Sequence, residues 1–229
     1  MRVGRFGILM MVAMMVLALA SSASAVTTLT LTGPVLGNTV GPQSTSNPCI
    51  IAATQCQQPS GFGFNNFTST GNISSYNMYS TTPTANVADG VQGTPYTVSQ
   101  LTAAGLTAFS IAIDVNTAAG GETLQLFEVI INGVVAYNYV GPTLIGDIAN
   151  NGNGFGDWVL SSVDLTGLSG ASTVVFHAVW DGATDGGESF FLVAGTPHPP
   201  VGTPEPGTVL LLGTGLVGLA AFARKKLQR

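Results

Sequence analysis

The acidic segment Asp181–Glu188 carries the side chains best suited to bind a metal ion. Asp181, Asp185 and Glu188 offer carboxylate oxygens on a Gly-rich stretch of chain, and Ca²⁺ binds such oxygens in flexible loops. The spacing is not that of an EF-hand, and Asp and Gly also favour tight turns. We favour a solvated turn and keep a calcium site on these three residues as the alternative. A second group of the same kind comprises Asn150, Asn151, Asn153 and Asp157.

Catalytic chemistry has weaker support in the sequence. Glu128 and Glu188 would supply the two carboxylates of a glycosidase if the fold brought them face to face. His177 stands in a strand-like stretch without a motif, which is typical of a structural histidine. The chain has no nucleophile elbow, no HExxH and no phosphate-binding loop. We therefore predict no catalytic residues and no enzyme, with a polysaccharide-acting hydrolase as the alternative.

The two cysteines predict a disulfide bond. Cys49 and Cys56 are separated by six residues, and an exported chain folds where thiols are oxidised. No histidine lies near them, which argues against a zinc site. No cationic neighbour is present to stabilise a reactive thiolate. We expect a small disulfide loop.

Charge is distributed very unevenly along the chain. All six basic residues lie in the first five or the last six residues, and of the eleven acids only Glu205 lies outside Val26–Thr203. That segment therefore has ten acids, no Lys and no Arg, and a formal charge of −10. Nucleic-acid binding requires cations that displace the counterions of phosphate groups. The segment lacks them, so nucleic acid is excluded as a partner.

The N-terminal residues predict a signal peptide over Met1–Ala25. Arg2 and Arg5 precede an apolar run from Phe6 to Ala20, and Ala23-Ser24-Ala25 has the small side chains that signal peptidase requires. The apolar run is shorter than the roughly 20 residues of a membrane-spanning helix. We expect cleavage before Val26.

The segment from Val26 to Thr203 predicts one all-β domain. Short alternating runs recur between turn signals, and no segment predicts an amphipathic helix. Asn132-Gly133 between two apolar runs is the strongest hairpin signal. We expect an antiparallel β-sandwich, jelly-roll-like in connectivity. The expected strands are 26–32, 63–68, 73–79, 107–115, 124–131, 134–140, 157–164, 172–180 and 189–194, with a long loop over 33–61.

The C-terminal residues predict a sorting segment over 204–229. Pro204-Glu205-Pro206 precedes an uncharged apolar run, Gly207–Ala223, and the cluster Arg224-Lys225-Lys226 follows it. A helix of that run reaches about 25 Å, slightly less than the hydrocarbon core of a bilayer. Basic residues stay on the cytoplasmic side. We expect one transmembrane helix with the β domain outside the cytoplasm.

These C-terminal residues closely resemble the PEP-CTERM sorting domain in order, spacing and position, over Thr203–Arg229. Proteins with this domain are substrates of exosortase, a membrane-embedded, transpeptidase-like enzyme of Gram-negative bacteria that also make exopolysaccharide. The resemblance implies that Pro204, Glu205 and Pro206 are recognised by exosortase, while the helix and Arg224, Lys225 and Lys226 stop transfer. It implies transient anchoring, cleavage near the motif and delivery to the cell surface or extracellular matrix. We expect a non-enzymatic protein that associates with exopolysaccharide.

Overall fold

The computed structural model describes residues 25–52, 59, 62, 65–66, 70–77, 90, 92–116, 121–146, 152–183 and 188–195. The signal peptide up to Ser24 and the whole sorting segment 204–229 lie outside the described residues. Among the described residues, no helix is long and apolar enough to cross a membrane.

The elements are β1 (Thr27–Thr28), β2 (Leu31–Thr32), β3 (Cys49–Ala52), β4 (Asn65–Asn66), β5 (Gly71–Tyr76), β6 (Tyr96–Thr97), α1 (Val98–Ala103), β7 (Ala108–Asp114), β8 (Glu122–Ile131), β9 (Val134–Ile145), β10 (Trp158–Asp164), β11 (Thr173–Ala183) and β12 (Ser189–Ala194).

The strands form two sheets of six. The first sheet has the order β1-β9-β8-β11-β5, with β6 also paired to β11, and the second has the order β2-β10-β7-β12-β3-β4. All pairings are antiparallel except the two-residue contacts β1–β9 and β3–β4. The predicted all-β, antiparallel architecture is confirmed. Its jelly-roll connectivity stays a prediction.

A single apolar core lies between the two sheets. On β7 the large side chains of Phe109, Ile111 and Ile113 alternate with smaller or polar ones and are fully buried, as the period of a strand requires. Phe176 on β11 meets them from the first sheet, with its ring centroid 6.0 Å from that of Phe109. It also lies 6.1 Å from Tyr96 and 6.5 Å from Phe127. The Phe109–Phe176 contact joins the two sheets, and the contacts with Tyr96 and Phe127 pack Phe176 against its own sheet.

The predicted hairpin between β8 and β9 is present. Asn132 and Gly133 both have positive φ, 51° and 78°, which is the conformation of a type I′ turn. The two strands continue beyond the turn to pair Glu122 with Ile145. This hairpin is longer than expected, because β9 extends to Ile145 where the apolar run predicted an end at Val140.

Three local predictions were wrong. The single first strand is two strands, because the chain leaves the first sheet after Thr28 and joins the second at Leu31. The long loop contains β3, which pairs with β12. A short helix, α1, occurs where none was predicted: Thr97 accepts from the Gln100 N–H and the Gln100 side chain accepts from the Thr97 N–H. This capping box is a local start signal.

A loop over Gly33–Pro48, here called the covering loop, packs on the outer face of the second sheet. Val40 packs against a small buried cluster on that face, formed by Cys49, Ala52, Ala112 and Phe191. The Gly156 N–H donates to the Val40 carbonyl, and the Gln43 N–H donates to the Gly154 carbonyl, both at 2.8 Å. The covering loop therefore pairs with the segment Gly152–Asp157 above the sheet.

The central position of Phe176 leads to a stability prediction. We expect Phe176→Ala to lower the free energy of unfolding by about 3–5 kcal/mol, because it opens a cavity beneath three other rings. Leu144→Ala is the matched control, since Leu144 is 59% exposed, and we expect it to change stability by about 0.5 kcal/mol or less. Chemical denaturation measures both. Equal effects would contradict this assignment of the core.

Candidate functional site

The described carboxylates concentrate where β7 ends and β10 and β12 begin. Asp114 is the last residue of β7, Asp157 immediately precedes β10 and Glu188 immediately precedes β12. β7 lies between the other two strands, with Ile113 opposite Trp158 and Asp114 opposite Ser189. The sheet register therefore brings these three acids to one end of the second sheet. Each is at least 95% buried.

Asp114 anchors the two loops that meet above this end of the sheet. Its Oδ2 accepts from the Gln43 amide of the covering loop at 2.8 Å and from the Gly154 N–H at 3.1 Å. Its Oδ1 is buried, and no group in the described ranges forms a hydrogen bond with it. The pKa of Asp114 is raised from its ordinary 3.8 to about 7, first by burial and then by the nearby Asp157 carboxylate, against the lowering effect of the two hydrogen bonds.

Asp157 and Glu188 are held by consecutive backbone groups beyond the end of β7. The Val115 N–H donates to Asp157 Oδ2 at 2.8 Å, and the Asn116 N–H donates to Glu188 Oε2. A further buried acid, Glu122, begins β8 in the opposite sheet. The carboxylates of Asp157 and Glu188 are thus stabilised by backbone N–H donors in place of ion pairs.

The two described residues of the predicted calcium site, Asp181 and Glu188, have separate hydrogen-bond partners. Asp181 on β11 accepts from the Gln125 amide at 2.8 Å, Glu188 is held by Asn116, and Asp185 lies outside the described residues. Within the described part of the chain, no group of three or more His, Cys, Asp or Glu residues has the geometry of a metal site. The site on Asp181, Asp185 and Glu188 stays a prediction. Of the second group, Asn150 and Asn151 lie outside the described residues, and Asn153 contacts Asn38 at 3.2 Å.

His177 lies on the outer face of the first sheet in a polar row across three strands. Its Nδ1 is 2.8 Å from Glu128 Oε2 and its Nε2 is 2.9 Å from Ser74 Oγ. The Tyr76 ring stacks on the imidazole, with centroids 4.1 Å apart and planes 8° from parallel. Because a carboxylate only accepts, Nδ1 carries the proton toward Glu128. Both ring nitrogens are therefore engaged in a largely buried network.

This network has the same order of groups as a serine hydrolase, with a hydroxyl, an imidazole and a carboxylate. Register alone accounts for it, because His177 pairs directly with Glu128 on one side and with Tyr76 on the other. Sequence reasoning missed it, since Ser74, Glu128 and His177 are far apart in the chain. The carboxylates considered for a glycosidase are not brought together. Glu128 contacts His177 in the first sheet, whereas Glu188 contacts Asn116 at the end of the second.

The two tryptophans lie in or beside the core. Trp180 is fully buried and packs on Phe190, with centroids 5.6 Å apart, and Trp158 packs against the same core from the edge. Cys49 is fully buried at the start of β3 and is not a free thiol. Cys56 lies outside the described residues, so the disulfide between them stays a prediction.

Comparison with protein families identifies the C-terminal segment. Residues 203–226 match the family described as the PEP-CTERM protein-sorting motif. The chain carries a PEP-CTERM sorting motif. Pro204, Glu205, Pro206, Arg224, Lys225 and Lys226 all fall inside the match, which confirms the resemblance. The PEP-CTERM motif indicates an exported protein that exosortase sorts at the membrane. Neither curated proteins nor solved structures gave a match to the chain.

We predict that the Ser74–His177–Glu128 network is structural. Ser74→Ala should lower the free energy of unfolding by about 0.5–1.5 kcal/mol through the lost hydrogen bond. The exposed Ser46, whose hydroxyl lies 3.1 Å from the Ser44 hydroxyl, is the control, and Ser46→Ala should change stability less. Incubation of the wild-type protein with a fluorophosphonate probe should give no adduct on Ser74. Covalent labelling of Ser74, detected by peptide mass spectrometry, would make it a nucleophile.

Proposed function

We propose that this chain is a non-enzymatic protein of the cell surface or extracellular matrix, associated with exopolysaccharide. The PEP-CTERM motif at residues 203–226 carries the proposal, because it assigns the chain to the export and sorting route of exosortase substrates. The signal peptide, the transmembrane helix over Gly207–Ala223 and the disulfide are parts of the same proposal. The helix holds the chain in the membrane until exosortase acts.

The compact β domain supports a binding or structural role. Its described carboxylates are engaged with backbone N–H groups, amides and His177. Its formal charge of −10 repels acidic polysaccharide. Divalent cations reverse that repulsion by bridging carboxylates of the two partners. Association with an acidic exopolysaccharide therefore depends on such cations.

The sorting step leads to a prediction about Glu205. We expect Glu205→Ala to block processing, because the variant loses the acidic residue of the recognition motif. Intact mass spectrometry of the cellular protein should then show the C-terminal segment retained, and fractionation should show the chain in the membrane. Pro199→Ala, in the preceding Pro-rich stretch and outside the matched residues, is the control and should be processed normally. Normal processing of Glu205→Ala would contradict the role of the motif.

The association with exopolysaccharide is tested by binding in the presence and absence of a chelator. We expect the purified protein to sediment with acidic exopolysaccharide in millimolar Ca²⁺ and to be released by EDTA, because the bridging cation is removed. A neutral polysaccharide of similar size is the control and should not show this dependence. Absence of binding under both conditions would count against the proposal. Release of reducing ends in the same incubation would contradict the non-enzymatic role.

A further inference from the structure

Within the described part of the chain, no Lys or Arg is present to balance the charge of the carboxylates at the end of β7. No Lys or Arg occurs between Arg5 and Arg224. Of the two histidines in the chain, His177 is engaged with Glu128 in the other sheet, and His198 lies outside the described residues. A buried carboxylate that lacks an opposite charge must bind a proton, collect hydrogen-bond donors or attract an ion from solvent.

In the described part of the chain, hydrogen bonds satisfy only one of the two carboxylate oxygens of Asp114. Both of its donors, the Gln43 amide and the Gly154 N–H, converge on Oδ2. The other oxygen, Oδ1, has no hydrogen-bond partner among the described residues, although Asp114 is 95% buried. A buried oxygen without a partner is costly and uncommon in folded proteins. It is the atom that a bound cation would coordinate.

The surroundings of Asp114 supply the kinds of atom that complete such a site. Asp157 lies beside it, with one carboxylate oxygen fixed by the Val115 N–H. The Gln43 amide donates through Nε2 to Asp114 Oδ2, so it orients this carboxylate and is not counted among the ligand oxygens. The Asn116 amide oxygen lies directly against Gly152, in the loop that continues to Asp157. Ca²⁺ takes six to eight oxygen ligands from carboxylates, amides, backbone carbonyls and water.

We propose that Ca²⁺ binds between Asp114 and Asp157, and that it fastens the covering loop and the segment Gly152–Asp157 to the end of β7. The site is different from the predicted one on Asp181, Asp185 and Glu188. It does not depend on the association with exopolysaccharide, because it lies within the fold. Two carboxylates give the site its charge, and neutral oxygens and water complete its coordination.

A proton held between Asp114 and Asp157 is the competing explanation. The two explanations differ in what Asn does at position 114. Asn keeps an oxygen for the Gln43 and Gly154 donors and removes the charge next to Asp157. Without Ca²⁺, Asp114→Asn should therefore unfold at the same temperature as the wild type or above it under either explanation. Only the bound-cation proposal predicts that the variant also loses its response to Ca²⁺.

The test is thermal unfolding of the full chain, purified in detergent, in EDTA and in Ca²⁺. At roughly a hundredfold excess of Ca²⁺ over its Kd, the melting temperature of the wild type should rise by about 5–10 °C. Asp114→Asn and Asp157→Asn should lose most of this rise. Asp164→Asn is the matched control, because Asp164 ends the same strand that Asp157 precedes and accepts from the Thr166 N–H. It should keep the full response.

Terbium luminescence gives a second measurement that does not depend on stability. Tb³⁺ replaces Ca²⁺ at oxygen sites, and Trp158 is adjacent to Asp157. Excitation of tryptophan should sensitise Tb³⁺ emission in the wild type, Ca²⁺ should displace it, and Asp114→Asn should reduce it at least tenfold. Two results would overturn the proposal: no Ca²⁺-dependent shift in the wild type, or a full shift in both Asp114→Asn and Asp157→Asn. The second result would place the cation elsewhere, including the segment Asp181–Glu188.

Discussion

The structure is built under one electrostatic constraint, which is that ten acids fold in a segment without Lys or Arg. Ion pairs with these residues are therefore not available to orient side chains, and carboxylates are held by neutral groups. Asp157 and Glu188 bind backbone N–H groups beyond β7, and Asp181 binds an amide. Each of these contacts joins segments that are distant in the chain. The acids consequently form hydrogen bonds that connect strands and loops, and the positions of the loops depend on these bonds.

The two faces of the second sheet show how this constraint works together with packing. The inner face is apolar and is stabilised by contact with the aromatic side chains of the first sheet. Among the described residues, the outer face carries a small buried cluster around Phe191, which the covering loop shields from water. So small a cluster gives limited hydrophobic stabilisation. Hydrogen bonds from Gln43 and Gly154 to Asp114 therefore contribute to holding the covering loop in place.

The sequence predicted those parts of the fold that local patterns specify. Alternation located β7, a short apolar run located β12, and Asn132-Gly133 located the hairpin. The sequence did not predict the break between β1 and β2, because each strand is two residues long and is defined by the strand with which it pairs. The Ser74–His177–Glu128 network was missed for the same reason, since only register brings its members together. The alternation of β7 places Asp114 on the face opposite the core, but its burial depends on a loop whose path no local pattern specifies.

The short strands also bear on how copies of the domain meet one another. The first sheet ends in β1 and β5, and the second ends in β2 and β4, so three of these four edges in the described residues are strands of only two residues. Long, regular edges offer unpaired backbone groups to which a strand of another molecule adds, and short edges do not. Among the described residues, β1 and β2 each pair with only two positions of the longer strands β9 and β10. The short strands therefore protect these two sheet edges only in part.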